Sequence, residues 1–321
     1  MSAGPDPQQS LAGIGEFAVI ERLVAGRRQP HGVLVGPGDD AAVLTAPDGR
    51  MVVSTDMLVQ DRHFRLDWST SEDIGRKAIA QNAADIEAMG ARATAFVVGF
   101  GAPADTEAAA AVRLSDGMWS EASRFGAGIV GGDLVAAPQW VISVTVLGDL
   151  AGRAPVLLGG ARPGDRLAVI GDLGCSAAGY ALWDSRIEDF ADLRRRHLVP
   201  AVPYGQGAAA AAAGASAMTD VSDGLLADLG HLARASQVAV DVSMAALADD
   251  VGALAPAAAV VGADARDWVL RGGEDHALVA TFGAQPPPGW RVIGTVAAGA
   301  PGVRVDGAPW HGPGGWESFG Q

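Results

Sequence analysis

The stretch Gly152-Arg153-Ala154-Pro155, followed closely by Gly159-Gly160-Ala161-Arg162-Pro163-Gly164-Asp165, decides how this chain is divided. Glycine and proline at this density interrupt helices and strands, so the stretch predicts a boundary between two domains. We therefore expect a disordered polar tail at residues 1–10, an N-terminal domain at 11–152 and a C-terminal domain at 153–321.

Strand-like and helix-like segments alternate on both sides of this boundary. Before it, the sequence predicts strands at 41–44, 51–54, 95–99 and 141–147, and helices at 16–25, 71–89 and 106–125. After it, the sequence predicts strands at 166–170, 238–242, 277–281 and 291–296, with helices after Gly174, at 203–213 and at 224–235. The alternation predicts an α/β fold of the two-layer α+β kind.

The composition excludes several functional classes. A hydrophobic fraction of 49% and a mean hydropathy of +0.20 allow a large core, while a net charge of −14 argues against nucleic acid or an anionic membrane as partner. Cys175 is the single cysteine, which excludes an internal disulfide and predicts a reducing compartment; we interpret it as a packed thiol. The sequence has neither a signal peptide nor an apolar run long enough for a bilayer, so we expect a cytoplasmic protein.

Short acidic clusters recur along the chain, most of them expected in turns at the ends of apolar runs. They are Gly38-Asp39-Asp40, Ser54-Thr55-Asp56, Asn82 to Asp85, Gly131-Gly132-Asp133, Asp220-Val221-Ser222-Asp223-Gly224 and Gly272-Gly273-Glu274-Asp275. Neighbouring carboxylates repel each other unless a cation lies between them, and magnesium ions bridge such oxygens to substrate phosphates. The recurrence predicts a phosphate site with several magnesium ions.

The helix predicted at 71–89 places Asn82 and Asp85 on its apolar face. An unpaired carboxylate there is costly, so this face either meets a polar interface or helps to hold a metal. The Asp220–Gly224 cluster comes just before a predicted helix, where Ser222 or Asp223 could be the N-cap and where phosphates also bind.

No P-loop and no protein-kinase signature is present, so phosphoryl transfer would depend on metal ions. Lys77, the only lysine, is either a phosphate contact or a solvated helix residue. His63 is a candidate substrate-phosphate contact, and Trp316 is either a stacking platform for an aromatic ring or an anchor for the C-terminal tail.

The ordered set of motifs resembles the thiamine-monophosphate kinase family, within the superfamily that includes aminoimidazole ribonucleotide synthetase. The matching motifs span nearly the whole chain: Gly-Glu-Phe at 15–17, Gly-Asp-Asp-Ala-Ala-Val-Leu at 38–44, Ser-Thr-Asp-Met-Leu-Val at 54–59, the Lys77–Gly90 segment, Gly-Gly-Asp at 131–133, Ala-Arg-Pro-Gly-Asp at 161–165, Asp-Val-Ser-Asp-Gly at 220–224 and Gly-Gly-Glu-Asp at 272–275.

The resemblance implies direct transfer of the ATP γ-phosphate to thiamine monophosphate, giving thiamine diphosphate with several Mg²⁺ ions and no phosphoenzyme. Because an acceptor phosphate is already ionised near pH 7, we assign no catalytic base. The resemblance implies Mg²⁺ ligands at Asp40, Ser54, Thr55, Asp56, Asp85, Asp133, Asp220 and Asp223. It places Gly132, Asp133 and Ser222 against ATP, and His63, Glu274 and Trp316 against the thiamine substrate. It also implies a homodimer, formed through the mixed sheets of two N-terminal domains, with an α/β C-terminal domain.

The chain departs from the family pattern in two places. Leu157-Leu158-Gly159-Gly160-Ala161 stands where the family has an ATP-contacting arginine, for which Arg153 or Arg162 could substitute. The C-terminal motif reads Gly315-Trp316-Glu317-Ser318-Phe319, which keeps the aromatic residue and lacks the family's histidine. Two alternatives stay open: another ATP-dependent synthetase of the superfamily, and a non-catalytic relative that binds magnesium and nucleotide.

Overall fold

The computed structural model describes residues 9–37, 41–312 and 314–315. The chain divides into two compact units, one formed by Met1–Ala83 with Ala93–Asp149 and the other by Ala84–Arg92 with Leu150–Gln321. The chain passes between the units three times, and the last passage, between Asp149 and Leu150, lies close to the Gly- and Pro-rich stretch. Within the described part of the chain, no helix is both long and apolar enough to cross a membrane.

The first half of the chain forms a mixed sheet. Its elements are α1 (Leu11–Ile14), α2 (Glu16–Val24), β1 (Val33–Val35), β2 (Val43–Leu44), β3 (Val52–Val59), α3 (Ser71–Ala88), β4 (Arg92–Ala102), α4 (Ala108–Ser123), β5 (Gly128–Ala136) and β6 (Val141–Asp149). In the described residues, four strands form a sheet in the order β3-β6-β4-β5, with β3 and β6 antiparallel and β4 and β5 parallel. The edge strands of this sheet are therefore β3 and β5.

Alternating burial shows that this sheet is covered on one face. Ile142, Val144 and Val146 of β6 are fully buried, while the residues between them are half-exposed. α3 begins where Thr70 and Asp73 cap each other, since Asp73 N–H donates to the Thr70 hydroxyl and Thr70 N–H donates to the Asp73 carboxylate.

The second half of the chain forms a larger sheet with helices. Its elements are β7 (Arg166–Ile170), α5 (Cys175–Asp184), α6 (Ala191–Leu198), α7 (Gln206–Ala212), β8 (Ala215–Asp220), α8 (Leu225–Ser236), β9 (Ala239–Val242), α9 (Ala248–Val261), α10 (Ala265–Arg271), β10 (Leu278–Phe282), β11 (Arg291–Ala297), β12 (Gly302–Val305) and β13 (Ala308–Pro309). The described strands are arranged in the order β13-β12-β9-β11-β7-β10-β8.

Both faces of the larger sheet are buried. On β7, Leu167 and Val169 join one apolar cluster while Ala168 joins another, and on β10 Val279 and Ala280 divide in the same way. A sheet that is apolar on both faces is typical of α/β proteins. The predicted α/β fold class is confirmed, and β8 carries Asp220 to its C-terminal end.

Candidate active site

Two acidic clusters of the first unit, at 54–56 and 131–133, lie within strands. The expectation of a turn at Ser54-Thr55-Asp56 is wrong, because these residues lie inside β3. Successive side chains of a strand point to opposite faces, so Ser54 and Asp56 share one face and Thr55 lies on the other. The Thr55 hydroxyl donates to the Val144 carbonyl at 3.0 Å. β3 therefore offers the Ser54 and Asp56 oxygens together and Thr55 separately.

Asp56 is supported by neutral amides. Its backbone N–H donates to Asn82 Oδ1 at 3.1 Å, and Gln81 Nε2 donates to its Oδ2 at 3.3 Å. Asn82 is fully buried and donates in turn to the Ala78 carbonyl. Among the described residues, no lysine or arginine pairs with Asp56, so its negative charge is available to a cation.

Asp133 lies on the opposite edge of the same sheet. The expected turn at Gly131-Gly132-Asp133 is also wrong, because these residues lie inside β5. A Cβ atom on Gly132 would lie 2.1 Å from the Val98 carbonyl oxygen, so close packing of β5 on β4 already requires this glycine. With two strands between β3 and β5, Asp56 and Asp133 of one chain are about 14 Å apart across the sheet. They cannot share one ion within a single sheet.

His63 and Lys77 are joined in the first unit. The backbone N–H of Val59 donates to His63 Nδ1 at 3.0 Å, which leaves the Nε2 atom of this ring for other contacts. Lys77 is 2% exposed and donates from Nζ to the His63 carbonyl at 2.8 Å. Lys77 is therefore not a solvated helix residue; it holds the backbone of the His63 loop.

Two loops of the second unit run side by side. Glu274 N–H donates to the Ser222 carbonyl at 2.8 Å, and His276 N–H donates to the Val221 carbonyl at 2.9 Å. The expectation that Ser222 or Asp223 caps the following helix is wrong, since the N-cap residue of α8 is Gly224, which has no side chain to cap it. The Asp228 carboxylate instead accepts from the N–H groups of Asp223 and Gly224, at 3.1 Å each.

His276 lies among the carboxylates of these loops. Its Nδ1 lies 2.9 Å from Asp220 Oδ2, and both residues are buried. Burial by itself lowers the pKa of His276, but the hydrogen bond and charge of Asp220, with the charges of Glu274 and Asp85, raise it above its ordinary value. Asp85 thus acts electrostatically on the same histidine as Asp220 and Glu274.

Two further carboxyl groups in this unit carry raised pKa values. Burial, reinforced by the charges of Asp220 and Asp223, raises the pKa of Asp228 to about 8. Burial also raises the pKa of Asp275 to about 7, against the lowering effect of the Ser176 and Gly174 N–H groups that donate to it. An excess of negative charge in a poorly solvated place is thus the main property of this region.

This donor set fits magnesium held together with a phosphate substrate. The candidate ligands are carboxylate and hydroxyl oxygens, which hard cations prefer. Among the described residues, no three His, Cys, Asp or Glu side chains converge in a ready-made metal cage. Magnesium in nucleotide enzymes is usually held by one or two carboxylates, water and substrate phosphates, and does not need such a cage.

The comparisons with known proteins place the chain in a family. Residues 38–150 match the model of the AIR synthase related protein N-terminal domain, and residues 162–306 match that of its C-terminal domain. The thiamine-monophosphate kinase of Mycobacterium tuberculosis (strain ATCC 25618 / H37Rv) is 70% identical over 312 residues, which are 97% of this chain and 94% of that protein.

The chain belongs to the thiamine-monophosphate kinase family.

Solved structures of thiamine-monophosphate kinases agree with the fold. The enzyme from Stenotrophomonas maltophilia K279a superposes with a TM-score of 0.76 at 31% identity, covering 92% of this chain and 96% of that chain. AaThiL complexed with AMPPCP and TMP superposes with a TM-score of 0.78 at 29% identity, covering 95% and 97%. The family resemblance read from the motifs is confirmed.

Some residues that the family resemblance singled out take no part in the contacts described above. Asp40 and Trp316 are outside the described residues. Where the family arginine is absent, Leu157 and Leu158 are 53% and 37% exposed. Arg153, one suggested substitute, donates to the Gly90 carbonyl, while Arg162 is exposed.

Sequence reasoning missed three residues that shape the site of this thiamine-monophosphate kinase family member. They are Asp228, Asp275 and His276, each buried in the second unit. Asp275 was visible inside an acidic cluster, but its burial was not. Asp228 lies four residues after Gly224, the helix spacing at which a side chain can reach back to the first turn. His276 carried no signal, because its partner Asp220 is remote in sequence.

Proposed function

We propose that this protein transfers the γ-phosphate of ATP directly to the phosphate of thiamine monophosphate, giving thiamine diphosphate and ADP. Two observations together support the proposal. Both units carry oxygen donors that suit magnesium, and thiamine-monophosphate kinase relatives match the chain over almost its whole length. AMPPCP, an ATP analogue, and TMP in the AaThiL complex correspond to the two proposed substrates.

The side chains present favour transfer without a phosphoenzyme. Burial raises the pKa of Cys175 to about 12, so its thiol is a poor nucleophile at neutral pH. The acceptor phosphate is already ionised near pH 7, so the reaction needs positioning and charge neutralisation more than a general base. We accordingly assign no catalytic base.

Magnesium bound at the acidic positions would neutralise the phosphates of both substrates, so that two anions can approach in line. The ligands we propose are Asp40, Ser54, Thr55, Asp56, Asp85, Asp133, Asp220 and Asp223. Gln81 and Asn82 hold Asp56 and its backbone, and His276 holds one oxygen of Asp220 while the other remains for an ion. Such outer contacts fix the direction of a ligand.

The substrates would meet the remaining predicted residues. Gly132, Asp133 and Ser222 are proposed to contact ATP, and His63, Glu274 and Trp316 to contact the thiamine substrate. ATP as co-substrate also agrees with a cytoplasmic location, which we include in the proposal.

The proposal includes a homodimer formed through the four-stranded sheet. Val53, Met57 and Val135 are 58%, 54% and 52% exposed, although each is a large apolar side chain on an edge strand. An apolar face of this kind marks an interaction surface, and open edge strands favour pairing with a second sheet. Met57→Asp should shift the protein from dimer to monomer in light scattering; an unchanged dimer would contradict this interface.

A dimer would also resolve the separation of Asp56 and Asp133. If one site uses Asp56 of one copy and Asp133 of the other, two inactive variants should complement each other. Mixing Asp56→Asn with Asp133→Asn under conditions of subunit exchange should restore about a quarter of the wild-type rate, because half of the molecules are mixed dimers with one intact site. No recovery would contradict a shared site.

The activity itself is tested by incubating the protein with magnesium, ATP and thiamine monophosphate and separating the thiamine phosphates by chromatography. We expect one ADP for each thiamine diphosphate. Tight binding of magnesium and ATP without product would instead support a different acceptor or a non-catalytic relative.

A further inference from the structure

A buried polar cluster in the second unit lies outside the proposed metal and ATP ligands. Ser176 in the first turn of α5 is 1% exposed, and His197 in the last turn of α6 is 7% exposed. Ser176 Oγ lies 3.2 Å from His197 Nδ1, and Glu274 Oε2 lies 3.7 Å from the same nitrogen. The cluster thus connects two buried helix residues to the proposed substrate contact Glu274.

The position of His197 is fixed by the packing of its helix. A Cβ atom on Gly179 of α5 would lie 2.2 Å from the Leu193 carbonyl oxygen and 2.9 Å from the His197 Cβ. Only glycine allows α6 to approach α5 this closely. The ring of Tyr180 also meets the His197 ring edge-on, with centroids 5.4 Å apart. The imidazole therefore has little freedom to move away from Glu274.

The backbone of Glu274 is fixed as well. Its φ angle of 64° lies in the left-handed region, which is costly for a residue other than glycine, and its N–H donates to the Ser222 carbonyl. The next residue, Asp275, is held by the N–H groups of Gly174 and Ser176. The Glu274 side chain remains 34% exposed, so it meets His197 on one side and solvent on the other.

We propose that His197 is a positioning residue that aims the Glu274 carboxylate at the thiamine substrate, an inference that rests on the proposed function. The hydrogen bond that one imidazole nitrogen makes decides which tautomer is present. With the proton on Nδ1, the ring donates to the Ser176 hydroxyl at 3.2 Å and holds the same N–H 3.7 Å from Glu274 Oε2, which is beyond hydrogen-bond distance but close enough to order the carboxylate electrostatically. Glu274 then presents its charge to the positively charged thiazolium ring of the substrate.

The test compares His197→Phe, which keeps the ring shape and loses the nitrogen, with His197→Asn, which keeps a polar group near the Nδ1 position. Binding of thiamine monophosphate is measured by calorimetry without ATP, and the KM values for both substrates are measured by turnover. We expect His197→Phe to weaken the binding of thiamine monophosphate and to raise its KM roughly tenfold, because Glu274 loses a polar contact that orders its carboxylate. The KM for ATP should change less than about twofold. His197→Asn should recover part of the loss.

Two controls separate this role from a structural one. His231→Phe changes an exposed histidine on α8 that pairs with Arg234 and should leave both KM values unchanged. Ser176→Ala should raise the KM for thiamine monophosphate by a smaller factor, about threefold, because His197 and Glu274 remain.

The outcomes are distinct. If His197→Phe has unchanged affinity for thiamine monophosphate, or loses affinity for both substrates equally together with thermal stability, the positioning role is overturned while the proposed function stands. If the wild-type protein neither binds nor phosphorylates thiamine monophosphate, the proposed function fails and this inference fails with it.

Discussion

The two acidic regions of this protein hold their charge in different ways. On β3, Asp56 is surrounded by the neutral amides of Gln81 and Asn82. In the second unit, Asp220 lies against a buried histidine, and buried Asp228 and Asp275 have strongly raised pKa values. The comparison teaches that the first region is ready for a cation at little cost, while the second accumulates repulsion that a cation would relieve.

The largest expected effect is the loss of turnover when either region loses a candidate ligand. Asp56→Asn and Asp220→Asn should each lower kcat by about 100-fold or more, because the charge of the phosphates is no longer balanced during transfer. Circular dichroism should show that both variants fold. Asp105→Asn, at an exposed loop position, is the matched control and should keep wild-type turnover. Near-normal turnover of either variant at physiological magnesium would contradict the multi-metal proposal.

The next effect compares the histidine that contacts Asp220 with the amide side chain that contacts Asp56. His276→Phe, which keeps the ring shape and loses the nitrogen, should raise the magnesium concentration required for half-maximal turnover about tenfold, because Asp220 loses the donor that orients it. Gln81→Ala should raise that concentration less, since the 3.3 Å contact of Gln81 with Asp56 is longer than the 2.9 Å contact of His276 with Asp220. If both variants raised the magnesium concentration for half-maximal turnover equally, the histidine and the amide would support their carboxylates to the same extent.

The pH dependence of stability tests the repulsion in the second unit. Asp228 has a folded pKa of about 8 against 3.8 for an unperturbed aspartate, so the folded protein binds this proton more tightly than the unfolded chain. In EDTA, this group should lower the free energy of unfolding as the pH rises from about 4 to about 8, by at most about 1.4 kcal/mol per pH unit.

Asp228→Asn should flatten that slope, as measured by urea unfolding at several pH values. A slope that is the same in wild type and Asp228→Asn would show that Asp228 does not retain its proton near neutral pH.

The smallest effect is expected at Cys175, which adjoins the second region without belonging to it. Because burial raises the pKa of its thiol to about 12, Cys175→Ala should keep kcat within about twofold of wild type. Alkylation at pH 7.5 should be slow in the folded protein and fast in urea. Rapid inactivation by alkylation would contradict the interpretation of a packed thiol.

Local patterns predicted the elements but not their pairing. The strand Arg166–Ile170 was predicted with its correct bounds, and the helix at 71–89 differs from α3 by one residue, because periodicity and flanking breakers are local signals. β5 was missed because Gly131-Gly132 reads as a turn, although packing against Val98 requires a glycine there. α9 was missed because Pro256 lies inside an alanine-rich segment.

The sequence predicted the types of ligand in the site but not the charge interactions among its side chains. Oxygen-rich motifs such as Ser54-Asp56 and Asp220-Asp223 are visible along the chain. The contacts of His276 with Asp220 and of Lys77 with the His63 carbonyl depend on burial and on tertiary proximity. The position of Thr55 on the opposite face from Asp56 follows from strand alternation, once the strand is known to extend through them.

The most direct test of the whole account is the rate of thiamine diphosphate formation as free magnesium is raised beyond the level that saturates ATP. We predict that the rate continues to rise, since the acidic positions of both units bind ions in addition to the one that accompanies ATP, and that Asp56→Asn and Asp220→Asn each abolish this rise. The account would be contradicted if the rate stopped rising as soon as ATP is saturated with magnesium and if both variants gave the same magnesium dependence as the wild-type protein.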